Sequence, residues 1–132
     1  MSGFKVAYRA SAGTSDTTLA TIPAGTSIPA GGFYLLAGSG YLGSHAADQT
    51  FSTSLAATGG GVAVRDTTGT ILDSVGYGDA TNAFVEAHPA TAPPATAAPG
   101  SSSGRIPDGH DTNDNAADFS VSATPSPGAA NH

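Results

Sequence analysis

Residues 104–119 concentrate the side chains able to do chemistry. They hold Asp108, Asp111, Asp114 and Asp118, four of the ten acidic residues, together with Asn113, Asn115, His110 and Arg105. Carboxylates this close repel one another unless a cation or a set of N–H donors sits among them. Two chemistries satisfy that condition. A hard cation such as calcium takes six to eight oxygen ligands, and Asp111, Asn113, Asp114 and Asp118 would supply them. Asp111, Asn113 and Asn115 even alternate as in a calcium-binding loop. The loop is not an EF-hand, because no glycine stands at the sixth position and Ser122 occupies the place of the bidentate glutamate. The second chemistry is an Asx-rich turn, in which the side chains accept from nearby backbone N–H groups and Arg105 pairs with Asp108 or Asp118.

Other constellations carry less. Gly38-Ser39-Gly40-Tyr41-Leu42-Gly43 is a literal G-x-G-x-x-G, but the following residues lack the apolar stripe of a helix that would receive a phosphate, so a glycine-rich turn is expected. Gly59-Gly60-Gly61 has no Lys-Ser/Thr after it and reads as a turn opening a hairpin. All four His fall in loops. A small hydrolase using His110 and a neighbouring Asp would need a rigid frame holding base and nucleophile together. Glu86 is the only Glu and Lys5 the only Lys, which removes paired-glutamate chemistry.

The elements that must position these residues are short and β-like. Residues 3–9 alternate, with Phe4, Val6 and Tyr8 on one face and Lys5, Ala7 and Arg9 on the other. Residues 18–22 read as a strand, followed by two Pro-Ala-Gly turns. The apolar run 33–37 is the expected central strand, and 50–55 a short strand or turn. Residues 62–66 and 71–77 form the arms of a hairpin with Gly69 in the left-handed position of its turn. The stretch 79–103 is expected to be irregular, its part 89–100 being mostly Pro, Ala and Thr. Residues 105–107 and 118–122 give the last strands. The expected fold is all-β, an immunoglobulin-like β-sandwich of about seven short strands. It spans residues 1–123, with residues 124–132 as a frayed Pro/Gly tail.

Composition narrows the partners. Four Lys and Arg against ten Asp and Glu give a net charge of −6, unsuited to phosphate neutralisation, so neither nucleic acid nor an anionic membrane surface is expected as partner. There is no Cys, hence no disulfide and no thiolate site. No apolar run is long enough to span a membrane. The first residues have no basic stretch leading into an apolar one, so the chain either stays inside the cell or belongs to a longer exported protein.

The pieces taken in order resemble a bacterial lamin tail domain. The resemblance runs through Ser2-Gly3-Phe4-Lys5-Val6-Ala7-Tyr8, then Ile22-Pro23-Ala24-Gly25-Thr26-Ser27-Ile28-Pro29-Ala30-Gly31-Gly32-Phe33-Tyr34-Leu35-Leu36 and Leu72-Asp73-Ser74-Val75-Gly76-Tyr77-Gly78. It closes on Ser103-Gly104-Arg105-Ile106-Pro107-Asp108-Gly109, Asp111-Thr112-Asn113-Asp114-Asn115-Ala116-Ala117-Asp118-Phe119 and Thr124-Pro125-Ser126-Pro127-Gly128. Members carry further strands before the Ser-Gly-Phe strand. Here Met1 stands where that strand begins, so an exposed edge is expected, and the chain reads as a fragment, a wrongly assigned start or a unit that borrows strands from a neighbour. The resemblance implies a module of an exported or cell-surface bacterial protein, with no catalytic residues to carry over. The expected role is non-catalytic: a structural or protein-interaction module, self-associating through edge strands and needing no cofactor. A calcium-dependent adhesion module is the alternative, with calcium as the ion held.

Overall fold

The computed structural model describes residues 1–94 and 100–132. These form strands β1 (Lys5–Ala10), β2 (Thr17–Thr21), β3 (Leu36–Gly38), β4 (Gln49–Phe51), β5 (Gly59–Arg65), β6 (Ile71–Gly78) and β7 (Ser102–Arg105), then a helical turn α1 (Asn115–Asp118) and β8 (Phe119–Ser122). The fold is all-β and sandwich-like. Its base is a four-stranded antiparallel sheet in the order β2-β1-β5-β6, to which a parallel pair β3-β4 and an antiparallel pair β7-β8 are added.

Register decides what each face of the sheet carries. Ala7 is paired with Ala63 and Ala63 with Ser74, while Arg9 is paired with Gly61. This face is nearly flat, and residues 82–86 lie on it. Phe84, wholly buried, forms a core cluster with Ala7 and Ala63. A Cβ on Gly61 would come within 2.8 Å of both Phe84 Cβ and Asn82 Oδ1, so only glycine lets the segment lie this close. Two guanidinium groups complete the enclosure. Arg9 and Arg65 lie 4.6 and 5.4 Å from the Phe84 ring centroid, in cation–π range. Asp16 clamps both, at 2.6 Å from Arg9 Nε and 2.7 Å from Arg65 Nε. On the opposite face Val62, Val64 and Val75 are met by Arg105 and Phe119 from β7 and β8.

Several expectations change. Gly59-Gly60-Gly61 is not a turn; it is the first half of β5, paired with Gly78, Tyr77 and Gly76. The run 33–37 does not make a central strand: only Leu36–Gly38 pairs, in parallel with β4, and Phe33 is 46% exposed. Apolar content alone does not separate a strand from a packed loop, and a turn from Pro29 to Gly32 delays entry into the strand. β1 is an interior strand, flanked by β2 and β5, rather than the open edge. The irregular stretch 79–103, of which residues 95–99 lie outside the described ones, supplies Phe84 to the core. The tail is laid back onto the acidic segment: Asn131 Nδ2 donates to Arg105 O and to Asp108 Oδ1, at 3.1 and 2.9 Å. The hairpin between β5 and β6 matches expectation. Asp66 Oδ1 accepts from the N–H groups of Thr68 and Thr70, and Gly69 adopts φ +90°.

Because one aromatic ring fills the space over an alanine sheet, Phe84→Ala is expected to cost about 3–5 kcal/mol, read as a lowered urea midpoint at unchanged slope. A cost below about 1 kcal/mol would mean that the ring does not carry the core.

Candidate functional site

The 104–119 segment passes from β7 on one face, around the edge of β6, to residues 82–88 on the other. Two side chains hold it there. Asn115, fully buried, opens α1. Its Oδ1 accepts from Gly76 N–H and from Glu86 N–H, both at 2.9 Å. Its Nδ2 donates to Ser74 O at 3.1 Å and to Glu86 Oε2 at 2.8 Å. A primary amide has two donors and room for two acceptor bonds on its oxygen, so its capacity is fully used. Asn115 N–H donates to Glu86 O and Ala116 N–H to His88 O, both at 3.0 Å, so the backbone adds to the same seam. The side chain has taken the place of a neighbouring strand: Ser74 O and Gly76 N–H are the groups β6 turns outward at its edge. Two residues further on, Ala90 N–H donates to Gly76 O and Gly78 N–H to Ala90 O, sealing the remainder.

Arg105 holds the other side. Its Nη2 lies 2.9 Å from Asp73 Oδ1, and its Nη1 lies 3.2 Å from Asp111 Oδ1 and 3.4 Å from Asp118 Oδ2. Nη1 also donates to His110 O at 2.8 Å, and the guanidinium stacks 4.8 Å from the Phe119 ring centroid. One cation therefore serves three carboxylates.

Each sequence candidate has a defined place. Asp118 is buried and turned inward, where its carboxylate accepts from Thr112 N–H at 2.9 Å and Thr112 Oγ1 at 2.7 Å. Burial pushes its carboxyl up, but the Thr112 bonds, the Asp114 N–H and the Arg105 charge outweigh that and hold it below the usual carboxylate range. Asp114 caps α1, accepting from Ala116 N–H at 3.1 Å, and its other oxygen lies 3.0 Å from His88 Nδ1. The His88 bond is the main reason its carboxyl is also lowered. Asp111 Oδ1 accepts from Asn113 N–H at 3.0 Å, an Asx turn in which Asn113 adopts φ +59°. Arg105 is paired with Asp118, whereas Asp108 bonds Asn131 instead. Asp111 and Asp118 thus share Arg105 Nη1, Asp114 turns to His88 and the Ala116 N–H, and Asn113 takes part through its backbone N–H to Asp111. Among the described residues no group of three or more His, Asp or Glu is placed to hold a metal ion. His110 Nε2 stands 4.0 Å from Asp118 Oδ1, with its ring half exposed. The G-x-G-x-x-G at residues 38–43 leads through bends to β4 rather than into a helix.

Sequence reasoning missed three contributors. Glu86, set aside as a lone glutamate, forms one wall of the Asn115 site. Its carboxyl is raised, first by burial and then by the nearby Asp73 and Asp111 charges. Asn131 lay in the tail expected to fray. A third feature is a cleft between β2 and the β3-β4 pair, lined by Thr18 of β2, Thr50 of β4 and the hydroxyl residues Ser39, Ser52 and Thr53 beside them. The alternation of Asx residues marked Asn115 as notable, but nothing local told that it would face a strand edge rather than solvent. Comparison with known protein families, with curated proteins and with solved structures gave no match for this chain.

The variant Asn115→Asp keeps the shape but removes two donors and sets a carboxylate against Glu86. It is expected to lose about 3 kcal/mol or more at pH 7. The loss should narrow at low pH, where a protonated carboxyl restores one donor; urea midpoints at both pH values would show it, and a pH-independent loss would contradict this geometry. For Glu86 the folded pKa is raised, so it binds protons more tightly folded than unfolded. Its contribution is complete below the unfolded value of about 4.3 and is lost as pH rises through the folded value. Glu86→Gln, which keeps an acceptor for Asn115, is expected to be more stable than wild type at pH 7, with the difference vanishing below about pH 4. An advantage that persists in acid would assign the effect to packing.

Proposed function

We propose that this chain is a non-catalytic structural and protein-interaction module of an exported or cell-surface bacterial protein, immunoglobulin-like and of the lamin-tail type. It joins its partners, a second copy among them, along an open strand edge. The observation that carries the reading is the unequal treatment of the sheet's two edges. From Ser74 to Gly78 the β6 edge is bonded by Asn115 and Ala90. Among the described residues the hydrogen bond that ties the β2 edge to β4 is at Thr21, whose carbonyl accepts from Gln49 Nε2 at 3.3 Å. Towards Thr18 and Leu19 it borders a cleft. An uncovered edge is a template for another strand.

The acidic loop supports the same reading, because its carboxylates already accept from backbone N–H groups and Arg105 and act as braces. Each Arg is likewise paired with a carboxylate, Arg9 and Arg65 with Asp16 and Arg105 with three Asp. That favours a protein partner over nucleic acid. The ordered resemblance to bacterial lamin tail domains favours an exported setting. No helix among the described residues is long and apolar enough to cross a membrane.

Light scattering coupled to size-exclusion chromatography tests the reading. The mass is expected to rise above that of a monomer with concentration and to return to it in Leu19→Pro, which removes a backbone N–H from β2. A monomer mass at every concentration would remove self-association, and an assembly indifferent to Leu19→Pro would move it to another surface.

A further inference from the structure

We propose that the cleft between β2 and the β3-β4 pair is a binding site for an extended, uncharged peptide strand, which adds to the open edge of β2. The inference rests on the reading of the chain as an edge-pairing module and names the partner that the edge takes.

The cleft has a volume of about 670 Å³. Thr18 and Leu19 of β2 form one wall; Gly38, Thr50, Ser52 and Thr53 form much of the other. Gln49 Nε2 donates to Thr21 O at 3.3 Å, tying β4 to β2 outside the residues that line the cleft. The register of β2 explains why the cleft is left unfilled. Val6 pairs with Ala20 and Ala7 with Thr18, so Leu19 is a bulged residue with no partner on β1. A bulged residue leaves the ladder, and this one borders the cleft. The Tyr41 hydroxyl, also at the cleft wall, is buried and without a hydrogen-bond partner among the described residues.

The chemistry of the walls selects the occupant. None of the described residues lining the cleft carries a charge. A charged strand would lose its hydration there without gaining a counter-ion, and a net charge of −6 further disfavours an acidic one. Rows of hydroxyls can donate to peptide carbonyls and accept from peptide N–H groups. The aromatic rings are not offered as flat platforms for a sugar. The Phe51 ring packs over Gly38, at 3.6 Å from where a Cβ would stand, and the Tyr41 ring is folded onto Gly43. What the cleft presents is strand edge and hydroxyls, which match the main chain of an extended peptide.

The test is an NMR titration of the whole chain with a terminally blocked hexapeptide of sequence Thr-Val-Ser-Val-Thr-Gly. The same peptide N-methylated at alternate residues, an Asp-Val-Asp-Val-Asp-Gly peptide, and cellohexaose serve as contrasts. The uncharged peptide is expected to give saturable shifts at the amides of Thr18, Leu19, Ser52 and Thr53. N-methylation should weaken binding by about tenfold or more, since main-chain bonds supply the affinity. Ser52→Trp, at an exposed position that narrows the cleft, should abolish the shifts and leave the rest of the spectrum in place. No saturable shifts at millimolar peptide, equal binding of the N-methylated or acidic peptide, or preference for cellohexaose would each overturn the proposal. A chain that self-associates in light scattering yet shows no cleft shifts would keep the interaction reading and lose this one.

Discussion

The architecture depends on how the edge of β6 is closed. A strand edge carries N–H and C=O groups that cost free energy when buried without partners. This chain closes the edge with a side chain instead of another strand. Asn115 is suited to it because a primary amide repeats the donor and acceptor of a peptide group, so it can bond Ser74 O and Gly76 N–H as a neighbouring strand would. The same amide holds both the N–H and the carboxylate of Glu86. That fixes the segment carrying Phe84, and Phe84 fills the core. Removal of the amide would therefore disturb the edge, the acidic loop and the aromatic core together.

The core shows how a chain poor in large apolar residues can still enclose itself. Alanines at positions 7 and 63 and glycines at 61 and 76 give a flat sheet centre, and one phenylalanine covers it. The periphery is then charged rather than aliphatic. Arg9 and Arg65 place their guanidinium groups against the ring, and Asp16 neutralises the pair. The Asp16 carboxyl is lowered: burial opposes its charge, and the bonds to the two arginines overcome that. Arg105 repeats the device on the other side of the sheet, over Phe119 and among Asp73, Asp111 and Asp118.

Local pattern made most of the strands legible. The alternation in residues 3–9 and the hairpin around Gly69 correspond to β1 and to β5-β6, because period-two burial and turn chemistry are short-range properties. The all-β class was legible for the same reason. What stayed hidden depends on distant partners. Gly59-Gly60-Gly61 has the composition of a turn, and only the proximity of Tyr8, Asn82 and Phe84 makes glycine a requirement within a strand there. Phe84 sits in a segment without periodicity, so its burial could not be read. In the acidic loop, residue types showed that carboxylates would need donors, and Thr112, Ala116 and Arg105 are among those they find. The choice between bracing and ion binding turns on where Asp118 and Asn115 point, which is a tertiary property. Asn131 illustrates the limit: nothing in a Pro/Gly tail announces that its amide would meet Asp108 and the Arg105 carbonyl as well as Ser126.

The contrast between the two sheet edges follows from the same physics. Sealing an edge with a loop requires a segment long enough to return to it and a side chain that mimics a peptide. Residues 104–119 meet both needs at β6. Among the described residues no comparable segment is hydrogen-bonded to the far end of β2, and the β3-β4 pair reaches that edge near Thr21. The bulge at Leu19 is relevant here, since bulges increase local twist and interrupt the regular spacing of edge groups. A bulged edge resists indiscriminate pairing with flat strands. On the proposed reading a partner strand would join at this bulged edge, and the opposite wall of the cleft would limit what can enter.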